Sequence, residues 1–450
     1  MAARKQEAAV FPNAAGIDVG ATSHWVAVPP GQAEAPVREF GPMTSDLHAL
    51  ADWLLACGVD TVALESTGVY WIPVFEVLEQ RGLKVWLVDA RQLKYVPGRK
   101  SDVQDCQWLQ QLHAWGLLRK SFIPEETTRQ LRTYTRLRED HIEMAASHVH
   151  HIQKALISMN IRLHEVISQI TGVSGMRVLK AILTGERDAQ RLLLLCDKQI
   201  VKRKSSQVVM SLEGHYKEEH LFALKQAIEC YEFYECQRMA CDAQIEALLR
   251  RINEHLPPPD CPTIDQPKAA RHNQPKIENL HMLLVTASGG RDVATISGFS
   301  DKTFLKLLAE IGSNVNAWPS PQHFVSWLGL APRTDQSGKM KRRRRNRAKT
   351  LAGQIFREAA MAISESKYLA IGSFYRRIRA KRGPKIAVVA TARKLAIQFY
   401  STMKHGVQFV EQGIKKYEEQ QRQKLERFLH KKAQEFGYQL VDSRAENVVH

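Results

Sequence analysis

Hydrophobic positions recur with two different periods in the first 118 residues of this chain. The runs "AGIDVGATSHWVAVPP", "DTVALEST" and "KVWLVDA" are short and rich in valine, and the first contains a small-residue turn, which is typical of strands. The runs "DLHALADWLLACG", "WIPVFEVLEQRG" and "SDVQDCQWLQQLHAWG" have helical spacing. Strands that alternate with helices predict an α/β domain, which we place at residues 10–120.

The rest of the chain has a helical pattern. Residues 121–256 contain two long charged runs with helical period and a more irregular stretch between them, which predicts either an antiparallel coiled-coil arm or an oligomerisation element. Residues 257–278 are rich in proline and polar residues and read as a linker. Residues 279–410 are helical and strongly basic, and residues 411–450 form a charged helical tail. The predicted fold class is therefore α/β plus all-α.

Composition narrows the classes of partner. The 450 residues carry a formal net charge of +17, which favours a polyanion such as nucleic acid. No apolar run approaches the roughly 20 residues that span a bilayer, and the N-terminal residues lack an apolar signal core. The seven cysteines form no CxxC pair, which argues against a disulfide framework or a zinc site. We expect a cytoplasmic protein that does not bind membranes.

Two acidic residues lie on predicted strands. Asp18 alternates with Ile17 and Val19 and therefore shares a face with Gly16 and Gly20. We interpret these glycines as room for a ligand to approach the carboxylate. Glu65 shares its strand face with Ala63, which is also small.

A second pair of acids lies at the start of a predicted helix. Ser101 and Gln104 have the spacing of a capping box, so Asp102 and Asp105 fall in the first turn and on one face. An aspartate in such a position is by itself more often an acid that complements the helix dipole. Together with the two strand acids, however, they form the oxygen-ligand set that Mg²⁺ prefers when it assists phosphodiester chemistry.

The most basic segment of the chain follows Ser337 and Gly338. A serine before glycine is most often a turn residue, and a basic run is most often a solvated patch. Alternatively, Gly338 lets the hydroxyl approach a phosphate that the cations bind. The candidate nucleic-acid-binding residues are Lys339, Lys341, Arg342, Arg343, Arg344, Arg345 and Arg347.

Two further segments have an open interpretation. The run "ISGFSDKTFLKLLAEIG" is similar to a helix-hairpin-helix, whose hairpin amides contact DNA phosphates, but Ser300 replaces its second glycine, so a plain helix–helix turn is equally compatible. The aromatic and basic residues of 373–385 either line a nucleic acid or pair a buried aromatic cluster with a solvated strip.

These motifs occur in an order that is characteristic of one family. The runs "GIDVGATSHWVAV", "ALESTGVYWIPVFEVLEQRGLKVWLVDARQLKYVPGRKSDVQDCQWLQQL" and "SGFSDKTFLKLLAEIG…FVSWLGLAPRTDQSGK" resemble the DEDD transposases of bacterial insertion sequences, in the IS110 family. The resemblance implies an N-terminal RNase H-like (RuvC-like) domain, a long helical coiled-coil middle and a helical C-terminal transposase domain. It places the DEDD acids, with Mg²⁺, on Asp18, Glu65, Asp102 and Asp105.

The resemblance also implies a mechanism and partners. Ser337 would be the nucleophile that attacks the DNA backbone and forms a phosphoserine link, in a site assembled between subunits. The implied partners are donor and target DNA, a structured non-coding guide RNA, and further copies of the chain in a dimer or tetramer. The implied location is the bacterial cytoplasm, in association with the nucleoid.

The chain departs from the family pattern in two ways, and three other functions are compatible with parts of the sequence. The chain is longer than a compact family member between residues 180 and 280, and its arginine run after Ser337 is unusually dense. A RuvC-like nuclease or junction resolvase that uses water would need the acids but not the serine. A non-catalytic nucleic-acid-binding protein would need neither. The run "GIDVGAT" also resembles the phosphate loop of sugar kinases, but no second phosphate loop follows it.

Overall fold

The computed structural model describes residues 9–65, 68–89, 101–257, 273–337, 340–344, 350–406 and 414–439, with the backbone alone at 333–337 and 340–344. The chain divides into two compact units, the N-terminal unit Met1–Ile123 and the C-terminal unit Pro124–His450. No helix in these ranges is long and apolar enough to cross a membrane.

The N-terminal unit is built on a five-stranded sheet in the order β3-β2-β1-β4-β5. Strand β1 pairs antiparallel with β2 and parallel with β4, β3 continues the antiparallel side, and β5 continues the parallel side. The strands are β1 Ala14–Val19, β2 His24–Ala27, β3 Val37–Phe40, β4 Thr61–Glu65 and β5 Lys84–Val88, and the helices are α1 Thr44–Ala56, α2 Trp71–Gln80 and α3 Asp102–Ala114. The predicted mixture of strands and helices is confirmed, and β3 is an additional edge strand.

Helices cover both faces of this sheet, because alternate strand residues point to opposite sides. Helices α1 and α2 pack on the face that presents Ile17 and Leu64. Helix α3 covers the other face, where Leu109 lies in a small cluster with Ala63 and Val88. Residues that alternate with Ile17 and Leu64 therefore point toward α3.

The C-terminal unit begins with two long helices, α4 Glu126–Ser158 and α9 Glu218–Asn253, which pack along each other. They run antiparallel, because Arg251 of α9 donates to Gln130 near the start of α4, whereas the ring of Tyr234 stacks on His148 near its end. The two predicted long helices are confirmed. Within one chain they form an antiparallel pair.

The stretch between these helices is more regular than the sequence suggested. It consists of four short helices, α5 Leu163–Val166, α6 Val173–Leu183, α7 Ala189–Leu194 and α8 Lys198–Ser211. Their apolar residues, among them Val178, Leu192 and Val208, form one buried cluster with the ends of α4 and α9. The prediction of an irregular segment was wrong.

In the described residues that follow α9, the unit is helical apart from one hairpin. The elements are α10 Leu280–Ala287, α11 Asp301–Ile311, α12 Pro321–Trp327, β6 Arg333–Ser337, β7 Met340–Arg344, α13 Leu351–Ala362, α14 Ala370–Arg382, α15 Pro384–His405 and α16 Ile414–Glu435. Phe324 lies at the centre of its core and contacts the rings of Phe356, Phe399 and Tyr400. The prediction of a helical domain omitted the hairpin β6–β7.

The segment similar to a helix-hairpin-helix is a packed corner. The methyl group of an alanine at Gly298 would lie 2.6 Å from Ile363 of α13, and the ring of Phe299 contacts Phe356. Ser300 is the N-cap of α11, since its hydroxyl accepts from the backbone N–H of Thr303 at 3.3 Å. These contacts support the interpretation as a helix–helix turn.

The aromatic residues of segment 373–385 also have packing roles. Tyr375 is buried in α14, and the ring of Phe374 lies beneath the Lys394 ammonium at 5.3 Å. The protein's own side chains contact both rings, although Phe374 is only half-buried, which favours packing beside a basic strip over a role in lining nucleic acid.

Candidate functional site

Asp18 and Glu65 lie side by side at the ends of two neighbouring parallel strands. The register of β1 and β4 pairs Ile17 with Leu64, so the residues that follow, Asp18 and Glu65, come next to each other. Both point to the face that α3 covers, because Ile17 and Leu64 belong to the opposite core.

Helix α3 brings the other two acids to the same sheet. Its N-cap is Ser101, whose hydroxyl accepts from the backbone N–H of Gln104 at 3.4 Å, and Asp102 and Asp105 lie in its first turn. The start of this helix is where the sequence predicted it. Further along, Gln110 donates from Nε2 to the backbone carbonyl of Ala14 on β1 at 3.0 Å.

Gly16 is the point at which α3 touches the sheet. A Cβ atom added there would lie 2.4 Å from the backbone nitrogen of Gln110 and 2.6 Å from the carbonyl oxygen of Cys106. A Cβ on Gly20 would lie 2.7 Å from the carbonyl oxygen of Ser23 in the β1–β2 turn. The interpretation of these glycines as space for a ligand is therefore wrong, because the protein's own backbone fills that space.

We expect Gly16→Ala to displace α3 from the sheet. The added methyl group meets backbone atoms of a packed helix, which cannot rotate away, so the substitution should destabilise the N-terminal unit by about 1–3 kcal/mol. Hydrogen exchange of the α3 amides should accelerate accordingly. Gly31→Ala is the control. No atom lies within 4 Å of a Cβ added at Gly31, so this substitution costs only the conformational strain of a non-glycine residue at a positive φ of 93°. Equal exchange of α3 in both variants would contradict this role of Gly16.

The four carboxylates influence one another electrostatically. Burial, as the largest cause, and then the negative charges of Glu65, Asp102 and Asp105 together raise the pKa of Asp18 to about 6. No ion pair of Asp18 or Asp102 occurs within the described residues. Bringing these acids together therefore costs free energy in the protein alone.

The thiol of Cys106 lies beneath this group of acids and is not reactive. Burial and the charge of Asp18 raise its pKa to about 12, and its sulfur donates to the carbonyl oxygen of Val103. A buried neutral thiol contributes packing and no nucleophile.

The chemistry of the four acids fits a hard divalent cation, because all donors are carboxylate oxygens and a cation would relieve their repulsion. In the ranges that the structure describes, however, no three His, Cys, Asp or Glu side chains are arranged as closely as ligands of one ion. The acids are gathered at one end of the sheet, without the spacing of a formed metal site.

Ser337 is the last residue of β6, in the C-terminal unit. Its backbone pairs with Met340 of β7, so a two-residue connection, 338–339, joins the strands. Strand β7 contains four of the candidate basic residues, Lys341, Arg342, Arg343 and Arg344. The described residues do not include Gly338, Lys339, Arg345 and Arg347. The described part of the basic run is thus a strand, and its register sets Arg342 opposite Asp335.

Sequence reasoning missed the residues that position α3. Gln110 and His113 both lie on the buried side of this helix, and His113 Nε2 is 3.0 Å from the Thr61 hydroxyl on β4. Burial lowers the pKa of His113 to about 4, so the imidazole is neutral. The only sequence signal was the spacing of Cys106, Gln110 and His113, which repeats at helical intervals.

Two family models match segments of this chain. Residues 15–161 match a family model for transposases of the DEDD IS110 type, and residues 290–376 match the model described as transposase of the IS116/IS110/IS902 family. No curated protein matches the chain significantly. The N-terminal match covers all four acids, and the C-terminal match covers Ser337. The chain belongs to the IS110 family of transposases, enzymes that cleave and transfer DNA strands.

Proposed function

We propose that this transposase cuts and rejoins DNA to move an insertion sequence, with Mg²⁺ held by Asp18, Glu65, Asp102 and Asp105. The observation that carries the proposal is the electrostatic coupling of Asp18 to the other three acids, which two strand ends and one helix start bring together. The strand order β3-β2-β1-β4-β5, with its antiparallel and parallel halves, supports an RNase H-like (RuvC-like) domain.

The role of the protein side chains follows from their positions. A divalent cation in this site would lower the pKa of an attacking hydroxyl and stabilise negative charge on the leaving oxygen. Asp18 and Glu65 would hold it from the sheet, and Asp102 and Asp105 from α3. The contacts of Gly16 and Gln110 keep α3 on the sheet and so maintain the spacing of the two pairs.

We further propose that Ser337 is the nucleophile. Its Oγ would form a bond to a backbone phosphorus atom and give up its proton, while the bond from phosphorus to one deoxyribose oxygen breaks and that oxygen leaves. A serine hydroxyl needs activation for this attack. The position of Ser337 supports this role, since it is the last residue of β6 and pairs with the first residue of β7 at the end of the hairpin.

The remaining partners are part of the same proposal. Phosphates of nucleic acid would be bound by the basic residues that follow Gly338, which are Lys339, Lys341, Arg342, Arg343, Arg344, Arg345 and Arg347. A structured non-coding RNA would guide a dimer or tetramer to donor and target DNA at the bacterial nucleoid. The proposed limits are residues 10–120 for the catalytic domain and 279–410 for the transposase domain, with a coiled-coil region, linker and charged tail around them.

Calorimetric titration of full-length protein with Mg²⁺ and Mn²⁺ tests the metal site. We expect saturable binding to the wild type and its loss in the Asp102→Asn/Asp105→Asn double variant, because two of four oxygen ligands lose their charge. Metal binding should also raise the melting temperature of the wild type but not that of the double variant. Equal heats in both proteins would rule out this site.

A further inference from the structure

A cavity of about 360 Å³ lies in the C-terminal unit, where the segment after α11 meets the end of α15. Its floor is apolar and buried, since Val315 and Met403 are each 2% exposed. Its complete lining is Arg291, Ser313, Asn314, Val315, Asn316, Met403 and Lys404. No acidic residue lines it.

Two cations face this cavity without a carboxylate to neutralise them. Arg291 makes one long contact, from Nη1 to the carbonyl oxygen of Ser288 at 3.3 Å, and Lys404 donates to the Asn316 side-chain oxygen. Within the described ranges neither forms an ion pair. The nearest acid in sequence, Asp292, instead lies 3.5 Å from the His281 ring and accepts from the Ala294 amide.

The other polar groups of the lining add hydrogen-bond donors. The side-chain oxygen of Asn314 accepts from the backbone N–H of Asn316 at 2.8 Å, which leaves its NH₂ group to donate. Ser313 adds a hydroxyl. A guanidinium, an ammonium, an amide and a hydroxyl around an apolar floor form a set that suits an anion with several acceptor oxygens.

We propose that this cavity binds a phosphodiester of the DNA backbone, at a position separate from the basic segment 339–347. The phosphate oxygens accept from Arg291 and Lys404, and the Asn314 amide and the Ser313 hydroxyl add further donors. Such a contact fixes the position of the duplex without reading its sequence. The inference rests on DNA as the substrate of this transposase, and it adds a site outside the proposed catalytic residues.

The test measures binding of a random-sequence DNA duplex to the full-length protein by fluorescence anisotropy over a range of salt concentrations. In Lys404→Gln, we expect the slope of log affinity against log salt to become shallower by about 0.9, the value for one phosphate contact. Asn316→Asp should have a similar effect, because its carboxylate repels phosphate and neutralises Lys404. This second variant keeps the contact with Lys404 and thus the local fold.

The matched control is Lys225→Gln on α9, which removes one positive charge from a side chain that is 60% exposed and distant in sequence from the cavity. Its salt dependence should equal that of the wild type. The proposal is overturned if Lys404→Gln and Asn316→Asp have the same slope as Lys225→Gln.

A second arm needs no DNA. Inorganic pyrophosphate should raise the melting temperature of the wild type more than that of Asn316→Asp, and an equal response of both would overturn the cavity proposal. If the wild type together with its associated RNA bound no duplex DNA, the proposed function would fail, while the pyrophosphate arm would still decide whether the cavity binds phosphate groups.

Discussion

Asp105→Asn is expected to reduce DNA strand cleavage by about 1,000-fold or more, while the metal-free protein becomes no less stable. Both effects have one cause. Asp105 is one of three carboxylates whose charges raise the pKa of Asp18, so its neutralisation relieves repulsion that the protein bears when no cation is bound. The same change removes one of the four proposed ligands of the cation.

The measurement combines a cleavage assay with thermal unfolding in the presence of a chelator and then of Mn²⁺. The wild type should gain stability from Mn²⁺, and the variant should gain much less. Asp52→Asn is the matched control in the same unit, because Asp52 is 59% exposed and forms a surface ion pair with Arg81. It should change stability by at most about 1 kcal/mol and cleavage not at all. Normal cleavage by Asp105→Asn would contradict its role.

The largest effect on stability is expected for Arg138→Met, at the buried junction of α4 and α9. Arg138 donates to Asp242 at 2.5 Å, and the two side chains are only 1% and 2% exposed. Arg138 also donates to the carbonyl oxygen of Asn273, and Asp242 accepts from the backbone N–H of Lys276. The pair therefore joins both long helices to the segment that follows them.

Arg138→Met removes the nearer of two cations beside the buried Asp242 carboxylate and leaves Arg238 Nη1, 3.9 Å away, as its counter-charge. Loss of one partner of a buried ion pair costs about 3–5 kcal/mol, and the remaining contact with Arg238 places the expected cost at the lower end of that range. We expect Arg138→Met to lower the urea midpoint and to accelerate hydrogen exchange along α4 and α9. Arg250→Met breaks an exposed pair with Glu246 on the same helix and should cost only about 0.3–0.5 kcal/mol. If the hydrogen-exchange rates of α4 and α9 in Arg138→Met and Arg250→Met differed by less than a factor of two, the structural importance of Arg138 would be refuted.

Local chemistry made part of the site predictable. The serine at 101 and the glutamine at 104 marked the start of α3, since a cap is formed by residues a few positions apart. The alternation of Asp18 with Ile17 likewise indicated which side of the strand the carboxylate occupies. Both features depend on neighbours in sequence.

The role of Gly16 depends instead on a helix some ninety positions further along the chain. A glycine beside a carboxylate has the same appearance in sequence whether a ligand or a helix backbone occupies the space. Only the packing of Gln110 and Cys106 against β1 distinguishes the two cases.

The sequence pattern did not predict the hairpin β6–β7, for a different reason. Strands are recognised by apolar alternation, and the segment from Lys341 to Arg344 is uniformly basic. Its backbone partners lie on residues 333–337, so pairing rather than composition determines its conformation. The short helices α5–α8 escaped prediction because each contributes only a few residues to their shared core.

The most direct test of the proposed mechanism is a denaturing gel of end-labelled DNA that spans the element junction, incubated with Mg²⁺, the purified protein and its associated RNA. The account predicts a protease-sensitive adduct between DNA and protein in the wild type and none in Ser337→Ala. Free cleaved ends in both proteins, with no adduct, would contradict the serine nucleophile and favour a nuclease that uses water.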